Sequence, residues 1–120
     1  GDAGSATITG TTIANNTAIS NGGGVANTGQ LTVSGTTLSN NAANQGGGLF
    51  STATSALSTS TFSGNTATQG GGIFAGSGAT ELQSTTIANN SDGVFNAAST
   101  VRLTNTIVAN STNSDVAGLF

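Results

Sequence analysis

Five side chains in this 120-residue sequence carry charge: Asp2, Glu81, Asp92, Arg102 and Asp115. Asp92 and Asp115 lie 23 residues apart, and Glu81 and Arg102 lie 21 apart. Each pair meets if the chain repeats with a period near that length. Paired carboxylates can cleave glycosidic bonds by general acid–base catalysis, and glycan-cleaving sites often add calcium and a basic side chain. Two carboxylates are too few for such a site, so Asp92 and Asp115 are expected at surface turns. Glu81 and Arg102 read as a cross-rung salt bridge, which at a surface contributes about 0–1 kcal/mol. His, Cys and Lys are absent. That removes the imidazole base, the thiolate and the usual zinc ligands, and it leaves the many Ser and Thr hydroxyls without an activating base. The triplets Gly22-Gly23-Gly24, Gly46-Gly47-Gly48 and Gly70-Gly71-Gly72 are each followed by an aliphatic residue rather than Lys. They therefore lack the phosphate-cradling pattern. No catalytic residue, cofactor or metal site is expected.

The net charge of −3, with one cation, provides no basic patch for nucleic acid. No apolar run approaches the roughly 20 residues of a membrane span, so this segment is not expected to insert. Gly, Ala, Ser, Thr and Asn dominate, yet there is no Pro and very little charge. This is unlike a disordered chain.

The elements that would position these residues follow from a repeat. Ile13, Leu38, Phe62, Ile87 and Ile107 each precede an asparagine by three positions: Asn16, Asn41, Asn65, Asn90 and Asn110. A second apolar column stands five positions upstream at Ile8, Val33, Leu57 and Leu82, with Leu103 four upstream in the last repeat. A third comprises Val25, Leu49, Ile73 and Val94. A period of 20–25 residues with three apolar columns implies a solenoid of about five coils, each with three short strands that pair in parallel with the next coil. The dense Gly, Thr, Ser and Asn content opposes helix. The chain is thus expected to be all-β, a single β-solenoid domain over residues 1–120 and a segment of a longer solenoid or filament.

Three columns stand out. Asn16, Asn41, Asn65, Asn90 and Asn110 are expected to stack as an amide ladder. Thr12, Thr37, Thr61, Thr86 and Thr106 each precede an inward residue and should face solvent as a contact surface. Phe50, Phe74 and Phe95, with Phe120 as a possible fourth, follow the aliphatic residue of the third strand. They form a stripe facing either outward or into a corner.

The Gly-Gly-Gly-aliphatic step and the apolar-x-x-Asn step, literal in Phe62-Ser63-Gly64-Asn65, resemble repeats of chlamydial polymorphic outer membrane proteins and of bacterial right-handed parallel β-helices. The stretch from Leu103 to Asn110, followed by Asp115-Val116-Ala117-Gly118, resembles the closing coils of choice-of-anchor surface proteins. The resemblance implies a right-handed parallel β-helix from a secreted or cell-surface bacterial protein, used as a rigid rod, passenger or adhesin. The alternatives are an ice- or glycan-binding solenoid using the Thr column, and a non-catalytic fragment of a polysaccharide-active enzyme. In the last two repeats Ser91-Asp92-Gly93-Val94 and Ser114-Asp115-Val116-Ala117 stand near the triplet's place, while Gly118-Leu119-Phe120 competes for it. No terminal cap is evident, so the expected partners are other copies or neighbouring solenoid segments at uncapped ends, and a host surface or glycan along the side.

Overall fold

A computed structural model describes residues 4–118. Among these the chain is all-β. Coil one comprises β1 (Ser5–Thr9), β2 (Thr12–Ala14) and β3 (Val25–Asn27). Coil two comprises β4 (Gln30–Ser34), β5 (Thr37–Ser39) and β6 (Leu49–Ser51). Coil three comprises β7 (Ser55–Ser58), β8 (Thr61–Ser63) and β9 (Ile73–Ala75). Coil four comprises β10 (Ala79–Gln83), β11 (Thr86–Ala88) and β12 (Asp92–Asn96), and coil five β13 (Thr100–Thr104), β14 (Ile107–Ala109) and β15 (Ser114–Gly118). Like strands of successive coils pair in parallel, giving three five-stranded sheets ordered β1-β4-β7-β10-β13, β2-β5-β8-β11-β14 and β3-β6-β9-β12-β15.

Register follows burial of one face. In β4, Leu31 and Val33 are buried while Gln30 and Thr32 are exposed, and β10 repeats the alternation with Thr80 and Leu82. A one-residue slip would turn every inward side chain to solvent. The interior stacks Leu31, Val33, Leu38, Leu49, Leu57, Phe62, Ile73, Leu82, Ile87 and Val94, with Ile8, Ile13, Val25, Val101 and Val108 packed against them at the ends. Each fully buried side chain of this kind contributes about 1.5–3 kcal/mol, and that burial stabilises a fold with very few charges.

Two corners of every coil use left-handed backbone. Between the first and second sheets the positive-φ residues are Gly10, Gly35, Thr59, Ser84 and Asn105; just after the second sheet they are Asn15, Asn40, Gly64, Asn89 and Asn110, and the longer turns of coils one to three add Gly22, Gly46 and Gly70 before the third. Gly and Asn suit this conformation, whereas a β-branched Thr59 at φ 50° is strained.

The last coil departs from the expected alignment. Ile87 pairs with Val108, and Thr86 pairs with Ile107. Asn110 therefore stands opposite the turn residue Asn89 rather than Asn90, and Ser111 takes the ladder position. Thr106 falls opposite Thr85, so it lies outside the solvent-facing Thr column. Leu103 pairs with Leu82 and sits five positions before Val108, so no residue is lost there. The shortening lies instead between the second and third sheets, where residues 64–72 of coil three give way to residues 89–91 of coil four. Val94 pairs with Val116, which settles the triplet's place: Gly93 and Asp115 continue the column of Gly24, Gly48 and Gly72. Gly118 pairs with Asn96 and not with a triplet glycine. Leu119 and Phe120 lie outside the described residues.

Candidate functional site

Asparagine supplies both an amide donor and a carbonyl acceptor, so identical side chains one rung apart can bond along the axis. Asn16, Asn41 and Asn65 each donate Nδ2 to the Oδ1 of the next rung's asparagine, at 3.1, 3.1 and 3.0 Å. Their backbone N–H groups donate to the same oxygens at 3.1, 3.0 and 2.8 Å. Looking back one coil, the Nδ2 of Asn41, Asn65 and Asn90 reaches the carbonyls of Ile13, Leu38 and Phe62. Asn41, Asn65 and Asn90 are at most 1% exposed. The ladder thus comprises Asn16, Asn41, Asn65 and Asn90 and stops at Ser111. The Ser111 N–H donates instead to Asp115 Oδ1 at 2.9 Å.

A hydroxyl column at the other tight corner was not singled out from sequence. Thr11, Thr36, Ser60, Thr85 and Thr106 each donate to the carbonyl two residues back, at 2.7 to 3.0 Å. Thr36 and Ser60 also accept the N–H of Thr11 and Thr36 from the coil before. Gln45 Nε2 donates to Gln69 Oε1 at 2.9 Å across the longer turns. The signal was present in sequence as the hydroxyl residue directly before the Thr column.

The Thr column itself runs Thr12, Thr37, Thr61 and Thr86 along the outer face of the second sheet. It ends at Ile107, which is 60% exposed. On the third sheet Phe50 and Phe74 stack with centroids 5.2 Å apart and planes at 13°, and Phe74 and Phe95 follow at 5.4 Å and 8°. They alternate with the inward Leu49, Ile73 and Val94, so the stripe lies on the outer side. Neighbouring rings cover Phe74, leaving it 6% exposed, while Phe50 and Phe95 are half-buried. Ala26 and Ala117 hold the flanking register positions.

On the outer face of the first sheet Glu81 pairs in register with Arg102, Oε2 to Nη1 at 3.9 Å, both side chains more than half exposed. Beside them Ala56 leaves two shallow depressions of about 140 and 100 Å³, one edged by Thr54, Thr100 and Arg102, the other by Thr32, Ser58 and Gln83. One expectation is corrected here. Asp92 is not a surface-turn residue: it is 7% exposed, and its Oδ2 accepts the Gly70 N–H at 3.1 Å. Asn27, outside the repeated step, is also buried, and its Nδ2 donates to Ser51, Ser55 and the Thr54 carbonyl. Among the described residues no three of His, Cys, Asp or Glu gather into a metal-binding group.

The end coils are more open than the middle. Leu103 and Val116, both in inward columns, are 41% and 46% exposed in coil five. In coil one Ile8, Ile13 and Val25 are half-buried. Ile19 is fully exposed. It sits where residues 18–20 of coil one span what Ala43 and Asn44 span in coil two, between the bridges Thr17–Ala42 and Asn21–Gln45. Compared with protein-family models, with curated proteins and with solved structures, the chain matches none.

Proposed function

We propose that the chain is a rigid rod segment of a secreted or cell-surface bacterial protein, holding a contact surface for adhesion or assembly at a fixed distance and orientation. The observation that supports this reading is the continuity of axial bonding. Three parallel sheets join each coil to the next, the Asn ladder adds side-chain bonds through coils one to four and the corner hydroxyls add more through coils one to three, so pulling along the axis loads many hydrogen bonds at once. The side contact we assign to the Phe50–Phe74–Phe95 stripe, since the half-buried Phe50 and Phe95, stacked on the buried Phe74, offer apolar area already ordered before binding. The Thr column, broken at Ile107, makes ice or glycan binding the second reading. The resemblance to bacterial surface β-helices supports the location, and the partner of the coil-one face is a neighbouring solenoid coil.

An optical-trap experiment tests the mechanical role. Held by its ends, the chain should resist and then yield in steps of one coil, roughly 80 Å of extended chain for each 24-residue repeat. Smooth lengthening at low force would rule out a load-bearing rod.

A further inference from the structure

We propose that Asp115 is a built-in stop to coil stacking, so that the face of coil one can accept a further coil in register and the face of coil five cannot. Two independent features of the same corner carry this. The first is steric. Gly24, Gly48, Gly72 and Gly93 form one column, and a Cβ built on any of them would point at the carbonyl oxygen of the next member. It would lie 2.7, 2.6 and 2.5 Å from the oxygens of Gly48, Gly72 and Gly93 for the first three, and Gly93 would meet the Asp115 carbonyl more closely still. Stacking at this column requires glycine in the lower coil. The pairing of Val94 with Val116 makes Asp115 the fifth member, and Asp115 has a Cβ. A sixth coil in the same register would place its carbonyl oxygen where that carbon stands.

The second is the ladder. The N–H of Asn16, Asn41 and Asn65 is taken by the Oδ1 of the next coil's asparagine. The equivalent N–H, that of Ser111, is taken by Asp115 Oδ1 from within its own coil at 2.9 Å. The carboxylate thus replaces the amide oxygen that a sixth rung would bring. At coil one the situation is reversed. Asn16 bonds forward to Asn41, and the polarity of the ladder leaves its Oδ1 as the acceptor for donors of a preceding coil. That coil must carry glycine at the column position and asparagine at the ladder position. Coil five has Asp115 and Ser111 there, so two copies of this chain are not partners in register. Chain that continues past coil five has to leave this path. Asp115 acts this way whatever the side of the rod touches.

Sedimentation equilibrium over a wide concentration range tests the stop by gain of function. The Ser111→Asn/Asp115→Gly double variant restores a stackable coil, and it should self-associate at least about tenfold more tightly than the parent. Asp115→Asn keeps the Cβ and an acceptor oxygen and should behave as the parent does. Adding Asn16→Ala to the double variant should reverse the gain, which separates head-to-tail stacking from aggregation. Equal association by parent and double variant, or a gain indifferent to Asn16, overturns the proposal. Amide exchange supplies a readout independent of association. The Ser111 N–H should exchange about tenfold faster or more in Asp115→Ala than in the parent, and an unchanged rate would show that Asp115 does not cap the ladder.

Discussion

Asn41 and Asn65 each accept a backbone N–H and donate to a carbonyl of the coil before, and donate to the asparagine Oδ1 of the coil after, so removing one strands several partners at once. In Asn65→Ala the Asn41 N–H and Nδ2 lose their acceptor and the Leu38 carbonyl loses its donor. A buried unsatisfied group costs about 1–3 kcal/mol, so urea titration should show a loss at or above the top of that range. Asn16→Ala should cost clearly less, because Asn16 is exposed and no rung of the described residues precedes it. Similar shifts for both variants would mean that the ladder is not a stabilising network. The strained corner gives a prediction of opposite sign. Thr59 holds φ 50° with an exposed side chain. Left-handed backbone costs an L-residue about 1–2 kcal/mol, and glycine gives back roughly 0.5–1 of that through chain entropy. Thr59→Gly should therefore leave stability unchanged or raise it by up to about 1 kcal/mol. A clear fall in the melting temperature would show that Thr59 makes a compensating contact.

At the scale of the strand and its turn, the glycine triplets are spacing devices. The coils approach so closely at the third glycine that a Cβ on Gly48 would stand 2.6 Å from the Gly72 oxygen and 2.7 Å from Phe62 Cδ2. Neither can give way, since one is backbone and the other is the most central ring of the core. Overpacking of this kind costs about 1–3 kcal/mol and at times more. Gly48→Ala should fall at the high end or fail to fold. Gly10→Ala meets no neighbour within 4 Å and bears only the penalty of φ 54°, about 1 kcal/mol. Chemical denaturation of both variants checks the difference, and equal losses would mean that turn conformation, not coil spacing, selects glycine at both sites.

At the scale of the molecule, a solenoid's stability is close to a sum over coils and their nearest-neighbour contacts. Among the described residues, coils two, three and four have neighbours on both sides, while coils one and five have one each. Amide exchange should therefore be slowest in β7, slower in β4 and β10 than in β1 and β13, and fastest at the two edges. Uniform protection would indicate one all-or-none unit. The side surfaces differ in the same hierarchical way. The aromatic stripe spans β6, β9 and β12, the three middle coils that offer the least mobile support.

The amino-acid order determined the period, the three inward columns and the coil count, because one-face burial leaves a two-residue alternation and a fixed step between coils that no other fold needs. It also placed Asn16, Asn41, Asn65 and Asn90 in one stack and Glu81 beside Arg102, since residues one period apart become neighbours whatever the details of the turn. Three matters were decided only in three dimensions. Ile107 and Asn110 satisfy the motif spacing as well as any earlier pair, yet pairing Leu103 with Leu82 and turning Val108 toward the core moved both by one position and left Ser111 in the ladder. Asp92 was hidden because its burial follows from the short turn before β12, and turn length carries no periodic signal, whereas Asn27 lies two positions after the inward Val25 and strand alternation places it inside. The direction of Phe74 and the unlike end faces depend on what lies across a gap of one rung, and a linear sequence does not state which side of a residue that gap is on.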